Sequence, residues 1–231
     1  MTNRSSLDIA ANYRYERKFL ISDLPKKDVV TIVKLNSYMF NEIFKYRMIN
    51  NIYFDTNNLQ NYYDNVEGGK DRVKVRIRWY GSLFGHIEKP ILEIKIKNGL
   101  LGTKKSIKLS SFNFSTETDL SNLLQDIKNT AVVKGFNLQS LKPTLLNRYS
   151  RNYYLSSDGN YRITIDDNQS FYKIWNYNNS FLNMVKDDKS VILELKYNQE
   201  FDSKANNITS KFPFRLSKNS KYVTGIEKFY Y

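Results

Sequence analysis

The residues best equipped for chemistry are cations set at every second position. In Arg72-Val-Lys74-Val-Arg76-Ile-Arg78-Trp79 four basic side chains alternate with Val73, Val75, Ile77 and Trp79. An extended backbone sends the two sets to opposite faces. The same alternation puts Glu93, Lys95 and Lys97 on one face. It also separates Arg162, Thr164 and Asp166 from Ile163 and Ile165, and Glu194 and Lys196 from Leu193 and Leu195. In the first such segment Glu16 and Lys18 face away from Tyr15 and Phe19. Long cations gathered on one face suit a phosphorylated ligand, because Arg forks match phosphate oxygens bidentately and Lys supplies a mobile point charge. A Glu stands two residues before a Lys three times, as Glu16/Lys18, Glu93/Lys95 and Glu194/Lys196. These acids would offset repulsion among the cations.

The whole chain repeats the message. Its 231 residues carry 36 Lys and Arg against 23 Asp and Glu, a net charge of +13. Such an excess calls for a polyanion: nucleic acid, an anionic membrane face or a phosphorylated small molecule. There is no cysteine, which excludes disulfides, thiol nucleophiles and Cys-based zinc sites. The one histidine, His86, excludes His-cluster metal sites and reads as a loop bystander. No apolar run is long enough for a membrane helix, and residues 1–12 lack a signal-peptide core. Cytoplasmic residence is the expectation.

Period-two patterning must position these residues. It predicts strands at 13–21, 51–55, 72–80, 91–97, 104–109, 145–155, 161–166 and 191–197, some joined by short turns at 99–102 and 156–160. Helical spacing is rarer. One helix is expected to start at Ser22-Asp23-Leu24-Pro25 and reach about Tyr38, and another to cover 120–134. Residues 59–63 read as a single turn, and 201–211 as loop or short helix. Residues 1–12 read as a tail and 13–231 as one domain. The class is strand-dominated α+β, without the βα alternation of a doubly wound sheet. Gly99-Leu-Leu-Gly102-Thr-Lys104 lacks the spacer and ending of a phosphate-binding P-loop and reads as a hairpin turn. Eight strands of this length can curl into a closed antiparallel barrel, a basic tunnel with charged faces inward and helices outside.

Ordered motifs point to a family. Glu16-Arg-Lys18-Phe, Asn51-Ile-Tyr-Phe-Asp55, Arg76-Ile-Arg78-Trp-Tyr-Gly81, Leu92-Glu-Ile-Lys95, Tyr149-Ser-Arg151, Arg162-Ile-Thr-Ile-Asp166, Ile192-Leu-Glu194-Leu-Lys196 and Lys218-Asn-Ser-Lys221-Tyr-x-x-Gly225 follow one another. The chain resembles the VTC domain, the polyphosphate polymerase branch of the triphosphate tunnel metalloenzymes, related to the CYTH proteins. The resemblance implies an eight-stranded tunnel in which the γ-phosphoryl of a nucleoside triphosphate such as ATP passes to a polyphosphate chain, with Mn²⁺ or Mg²⁺. It assigns phosphate binding to Lys18, Arg76, Arg78, Lys95, Lys104, Arg151, Lys218 and Lys221, and the metal to Glu194. Arg162, Tyr149 and Lys196 become further lumen residues, with Glu16 and Glu93 orienting neighbouring cations. Asp55 and Asp166 read as turn caps at strand ends. Where the family usually has a second basic residue after Lys104, this chain has Ser106.

Two other readings compete. One is a triphosphate hydrolase or nucleotidyl cyclase on the same barrel, although such hydrolases commonly use more inward carboxylates than this chain offers. The other is a non-catalytic module for polyphosphate or nucleic acid, since 18 Tyr and 14 Phe accompany the positive charge. Many of those aromatics alternate away from the cations, so nucleic acid is not the expected partner. A membrane-associated partner stays open, as does the oligomeric state.

Overall fold

A computed structural model describes residues 14–98, 101–129, 138–175, 181 and 183–230. The expected tail, the end of the second expected helix and part of the 99–102 turn lie outside the described residues. The strands are β1 (Arg14–Ile21), β2 (Asn41–Asp55), β3 (Asp71–Tyr80), β4 (Gly85–Ile87), β5 (Ile91–Asn98), β6 (Leu101–Lys108), β7 (Phe112–Phe114), β8 (Lys142–Leu155), β9 (Arg162–Lys173), β10 (Met184–Asp187) and β11 (Val191–Asn198). The helices are α1 (Lys26–Lys34), α2 (Gln60–Val66), α3 (Leu120–Asn129), α4 (Asp202–Thr209) and α5 (Lys221–Tyr230). Eight strands form one antiparallel sheet in the order β1-β11-β9-β8-β2-β3-β5-β6, with β10 beside β9 and a separate β4-β7 ribbon.

The sheet curls until its first and seventh strands meet through side chains. Lys95 Nζ on β5 lies 3.5 Å from Glu16 Oε1 on β1. Hydrogen-bonded closure, expected from strand number, does not occur: β1 and β6 are unpaired with each other among the described residues. The free edge of β1 is taken instead by the segment before α5. Ser217 donates its N–H to the Lys18 carbonyl at 2.8 Å, and Leu20 N–H donates to Ser217 Oγ at 2.9 Å. Once that segment satisfies the edge, a β6 partner gains nothing there. The architecture is an open barrel with flanking helices.

Apolar faces of the strands build two outer cores. One joins Ile52, Ile77, Trp79, Leu92 and Leu146 to α3 through Leu120, Leu124 and Ile127. The other joins Phe19, Ile163, Leu193 and Leu195 to α1 through Val29 and Val33, and to α4 through Ala205 and Ile208. A third, smaller cluster lies on the concave side, where Tyr53, Leu145 and Phe171 receive Tyr222 and Ile226 of α5. Gly225 allows that approach. A Cβ there would overlap Leu145 and stand 2.7 Å from Phe171 Cδ1.

Several elements depart from the expected bounds. The first helix ends at Lys34, and its N-cap is Pro25 without a side-chain cap bond, so neither Ser22 nor Asp23 caps it. Strand β2 begins at Asn41, ten residues before its expected start, because register shifts break the alternation of its first half. Strand β9 runs on to Lys173 through a left-handed Asn168, φ 50°. Residues 201–211 hold α4. The turn at 156–160 forms, with Ser156 N–H on the Tyr161 carbonyl and Gly159 at φ 75°.

Candidate active site: a cationic lumen

One wall of the lumen comes from β3, β5 and β6. Lys74, Arg76 and Arg78 occupy the concave face of β3, while Val75, Ile77 and Trp79 are buried on the other. Arg76 stands opposite Glu93, and Lys95 stands between Lys74 and Lys104. Like charges directly opposite repel, so the buried Glu93 is central. It accepts Arg76 Nε at 2.7 Å and Lys104 Nζ at 2.5 Å, with Arg78 Nη1 at 3.7 Å. Burial alone would raise the Glu93 carboxyl, but Arg76, Arg78 and Lys104 hold it far below the usual carboxylate range. Arg78 donates Nε to Asn51 Oδ1 at 2.8 Å and Nη2 to the Tyr149 hydroxyl at 3.2 Å. Lys74 donates to Ser220 Oγ at 2.9 Å. Burial, then the charges of Lys18, Lys95, Arg76 and Arg72, lower its ammonium to about 7.

The facing wall comes from β1, β11, β9 and β8. Glu194 stands opposite both Lys18 and Thr164. Lys18 Nζ and Lys196 Nζ each lie 3.6 Å from Glu194 Oε1, and Lys18 is also 3.7 Å from Glu16. Burial would raise the Glu194 carboxyl, yet Lys196, Lys18 and Arg151 keep it well below its ordinary value. One strand further, Arg151 grips the fully buried Asp166 with two bonds, Nε to Oδ1 at 2.5 Å and Nη2 to Oδ2 at 2.6 Å. Lys221, the first residue of α5, adds a bond to Asp166 Oδ2 at 2.6 Å. Tyr149 packs under both cations, with Lys221 Nζ 4.6 Å and Arg151 Cζ 5.3 Å from its ring centre. Burial would raise its phenol, but Arg151, Arg78 and Lys221 bring it below its normal value.

Most of the expected site residues therefore share one concave surface: Lys18, Arg76, Arg78, Lys95, Lys104, Tyr149, Arg151, Lys196 and Lys221, with Glu16, Glu93 and Glu194. Two stand apart. Lys218 is exposed on the segment entering α5, and Arg162 is exposed beyond Thr164, opposite Lys196. His86 is exposed on the β4-β7 ribbon, paired with Asn113. Asp55 does act as a cap, accepting N–H groups of Thr56, Asn61 and Tyr62 and the Tyr222 hydroxyl. Asp166 does not: β9 continues past it, and its carboxylate links α5 to the wall. Sequence reasoning also passed over Lys74 and Thr164, although both fall on the charged side of their alternating segments.

An arrangement of paired acids and surplus cations can bind several phosphate groups in a row. The acids fix each fork, and Arg76 Nη1, turned away from Glu93, donates to the Tyr53 hydroxyl at 3.3 Å. The donors around Glu194 also fit a hard cation. Its carboxylate is ionised, and the Thr164 hydroxyl opposite it is buried with no hydrogen-bond partner among the described residues. Among the described residues no group of three or more His, Cys, Asp or Glu forms a metal cage.

Comparisons with known proteins bear on the fold and the family. No protein with a curated description matches the chain. Among solved structures, a candidate adenylate cyclase from Bacillus halodurans is 14% identical, with TM-score 0.52, covering 94% of this chain and 96% of that one. A candidate adenylyl cyclase from Hippeastrum, described as having a dominant triphosphatase activity, is 14% identical with TM-score 0.51, covering 93% and 96%. One from Vibrio parahaemolyticus is 10% identical with TM-score 0.51, covering 92% and 97%. These likenesses establish the fold. The sequence profile of the VTC domain matches residues 13–230. With its eight-strand curled sheet and cation-lined hollow, the chain belongs to the VTC domain family.

Proposed function

We propose that the protein is a polyphosphate polymerase that moves the γ-phosphoryl group of ATP onto a polyphosphate chain inside the lumen. The observation that carries this reading is the convergence of Arg76, Arg78, Arg151, Lys18 and Lys221 from three strands and a helix onto one hollow. Arg76, Arg78 and Arg151 would grip the triphosphate. Lys18, Lys74, Lys95 and Lys104 would neutralise the γ-phosphate and the acceptor, with Lys218 and Arg162 drawing the polymer at the rim. A terminal phosphate oxygen of the acceptor attacks the γ-phosphorus in line, the bond to the β,γ-bridging oxygen breaks, and ADP leaves with that electron pair. The nucleophile is already ionised, so no proton moves and no general base is required. That agrees with the placement of His86 away from the lumen.

Glu194, beside Thr164, would hold Mg²⁺ or Mn²⁺ together with phosphate oxygens. A divalent ion bound there supplies positive charge for the equatorial oxygens. The reading places the chain in the cytoplasm, where ATP is abundant, and no helix among the described residues is long and apolar enough to cross a membrane. The deciding experiment is a polyphosphate gel after incubation with ATP and Mn²⁺, run beside Arg76→Ala/Arg78→Ala. Polymer from the wild type and none from the variant supports the proposal. Free phosphate without polymer would make the protein a hydrolase instead.

A further inference from the structure

Beyond the phosphate-binding surface, the concave face continues into a cluster that the transfer of phosphate does not use. Along β2, residues Tyr53, Asn51, Ile49 and Arg47 lead away from α5. Along β8 they are paired with Leu145, Asn147, Tyr149 and Arg151. One step further along β8 is Tyr153, and one step past Arg78 on β3 is Tyr80. The Arg47 guanidinium carbon lies 4.6 Å from the Phe44 ring centre and 5.7 Å from those of Tyr80 and Tyr153. Phe44 meets Tyr153 edge-on at 5.7 Å. Tyr153 also touches the phosphate wall, its ring centre 6.0 Å from Arg151 Cζ.

This cluster is not core. Phe44 is 44% exposed and Tyr80 46%. Arg47 is exposed and makes no ion pair among the described residues, so only rings hold it. Polyphosphate gains nothing from aromatic faces. We infer that Phe44, Arg47, Tyr80 and Tyr153 form a stacking platform for the nucleobase of the nucleoside triphosphate donor. Aromatic rings and a guanidinium plane are what a base recognises when hydrogen-bond readout is absent. The spacing agrees: two residues along a strand are about 7 Å, comparable with the reach of a ribose from the phosphate that Arg78 or Arg151 would hold. The inference rests on the lumen binding triphosphate and adds what distinguishes a nucleotide from bare tripolyphosphate.

The test compares ATP with inorganic tripolyphosphate by calorimetry on the full chain, at one metal and salt concentration. In Phe44→Ala/Tyr80→Ala the affinity for ATP relative to tripolyphosphate should fall about tenfold, within the range that loss of a base stack produces. Tyr80→Trp should keep or raise the ratio. Tyr80→Leu, at a half-exposed position that leaves the fold intact, should lower it. An unchanged ratio overturns the platform, and so does an equal loss for both ligands, which would mean that the rings merely brace Arg151. A wild type that binds tripolyphosphate but not ATP removes the platform and ATP as the donor, and leaves the lumen as a phosphate-binding site. A wild type that binds neither removes the lumen reading and the platform with it.

Discussion

Glu93 holds Arg76, Arg78 and Lys104 from two different strands, so its charge organises the wall rather than catalysing anything. Glu93→Gln leaves those cations facing one another. It should lower stability by about 2 kcal/mol, as the loss of a buried charged partner does, measurable as a lower urea midpoint. Turnover should drop at least tenfold while tripolyphosphate binding persists, because anion affinity needs charge and transfer needs aim. The folded-state carboxyls of Glu93, Asp166 and Glu194 all lie below their unfolded values. Their stabilisation is complete above the ordinary carboxylate range and is lost as pH falls below about 4. Lys74 behaves differently. Its ammonium sits near 7 in the folded chain against 10.5 unfolded, so its contribution favours folding increasingly as pH rises from about 7 to about 10. A bound phosphate would restore the proton. Triphosphate affinity in the wild type should therefore fall between pH 7 and 9 relative to Lys74→Arg, and parallel profiles would remove Lys74 from the site. Alternation alone puts Lys74 and Asp166 on the charged faces of their strands, although the sequence reading gives neither a role in the site. What alternation could not show was their partners, because Lys221 opens α5, 55 residues beyond Asp166, and Ser220, just before that helix, lies 146 residues beyond Lys74.

Helix α5 is the element that turns a curled sheet into a site. Its Tyr222, Gly225 and Ile226 are buried at positions one helical turn apart, and its first residue, Lys221, reaches Asp166. The sequence Lys-Tyr-Val-Thr-Gly-Ile-Glu-Lys-Phe-Tyr is rich in β-branched and aromatic residues and interrupted by Gly, so local propensity argues against a helix. Burial against Leu145 and Phe171 overrides that preference. The strands were more legible because Arg72–Tyr80 and its kin alternate without interruption, whereas the first half of β2 is bulged and exposed and carries no period. Gly225→Ala tests the docking. The added methyl should improve helix propensity by about 1 kcal/mol yet cost about 1–3 kcal/mol by overpacking, so the thermal midpoint should fall by several degrees. Lys221 would move with the helix, and turnover should fall further than stability does. An unchanged midpoint with full turnover would mean that α5 is not seated as described.

At the scale of the molecule, a net charge of +13 and an unpaired seam between β1 and β6 belong to one problem. The excess charge was readable from composition, and so was its concentration on one face of each strand. The open seam was not, because it depends on residues 216–217 occupying the β1 edge, a contact that no local pattern encodes. Across the seam the side chains of Glu16 and Lys95 meet, while the cations behind them repel. A polyanion in the hollow would therefore strengthen the whole sheet and not merely occupy it. At a hundredfold excess over its Kd, tripolyphosphate should raise the melting temperature by about 5–10 °C. Sodium chloride at matched ionic strength should do much less, since screening weakens repulsion without bridging the two walls. Arg76→Ala/Arg78→Ala should lose most of the ligand-induced shift while keeping the salt-induced one. If tripolyphosphate and chloride stabilise the wild type equally, the cations act as a diffuse surface charge, and the converging lumen is not where the anion binds.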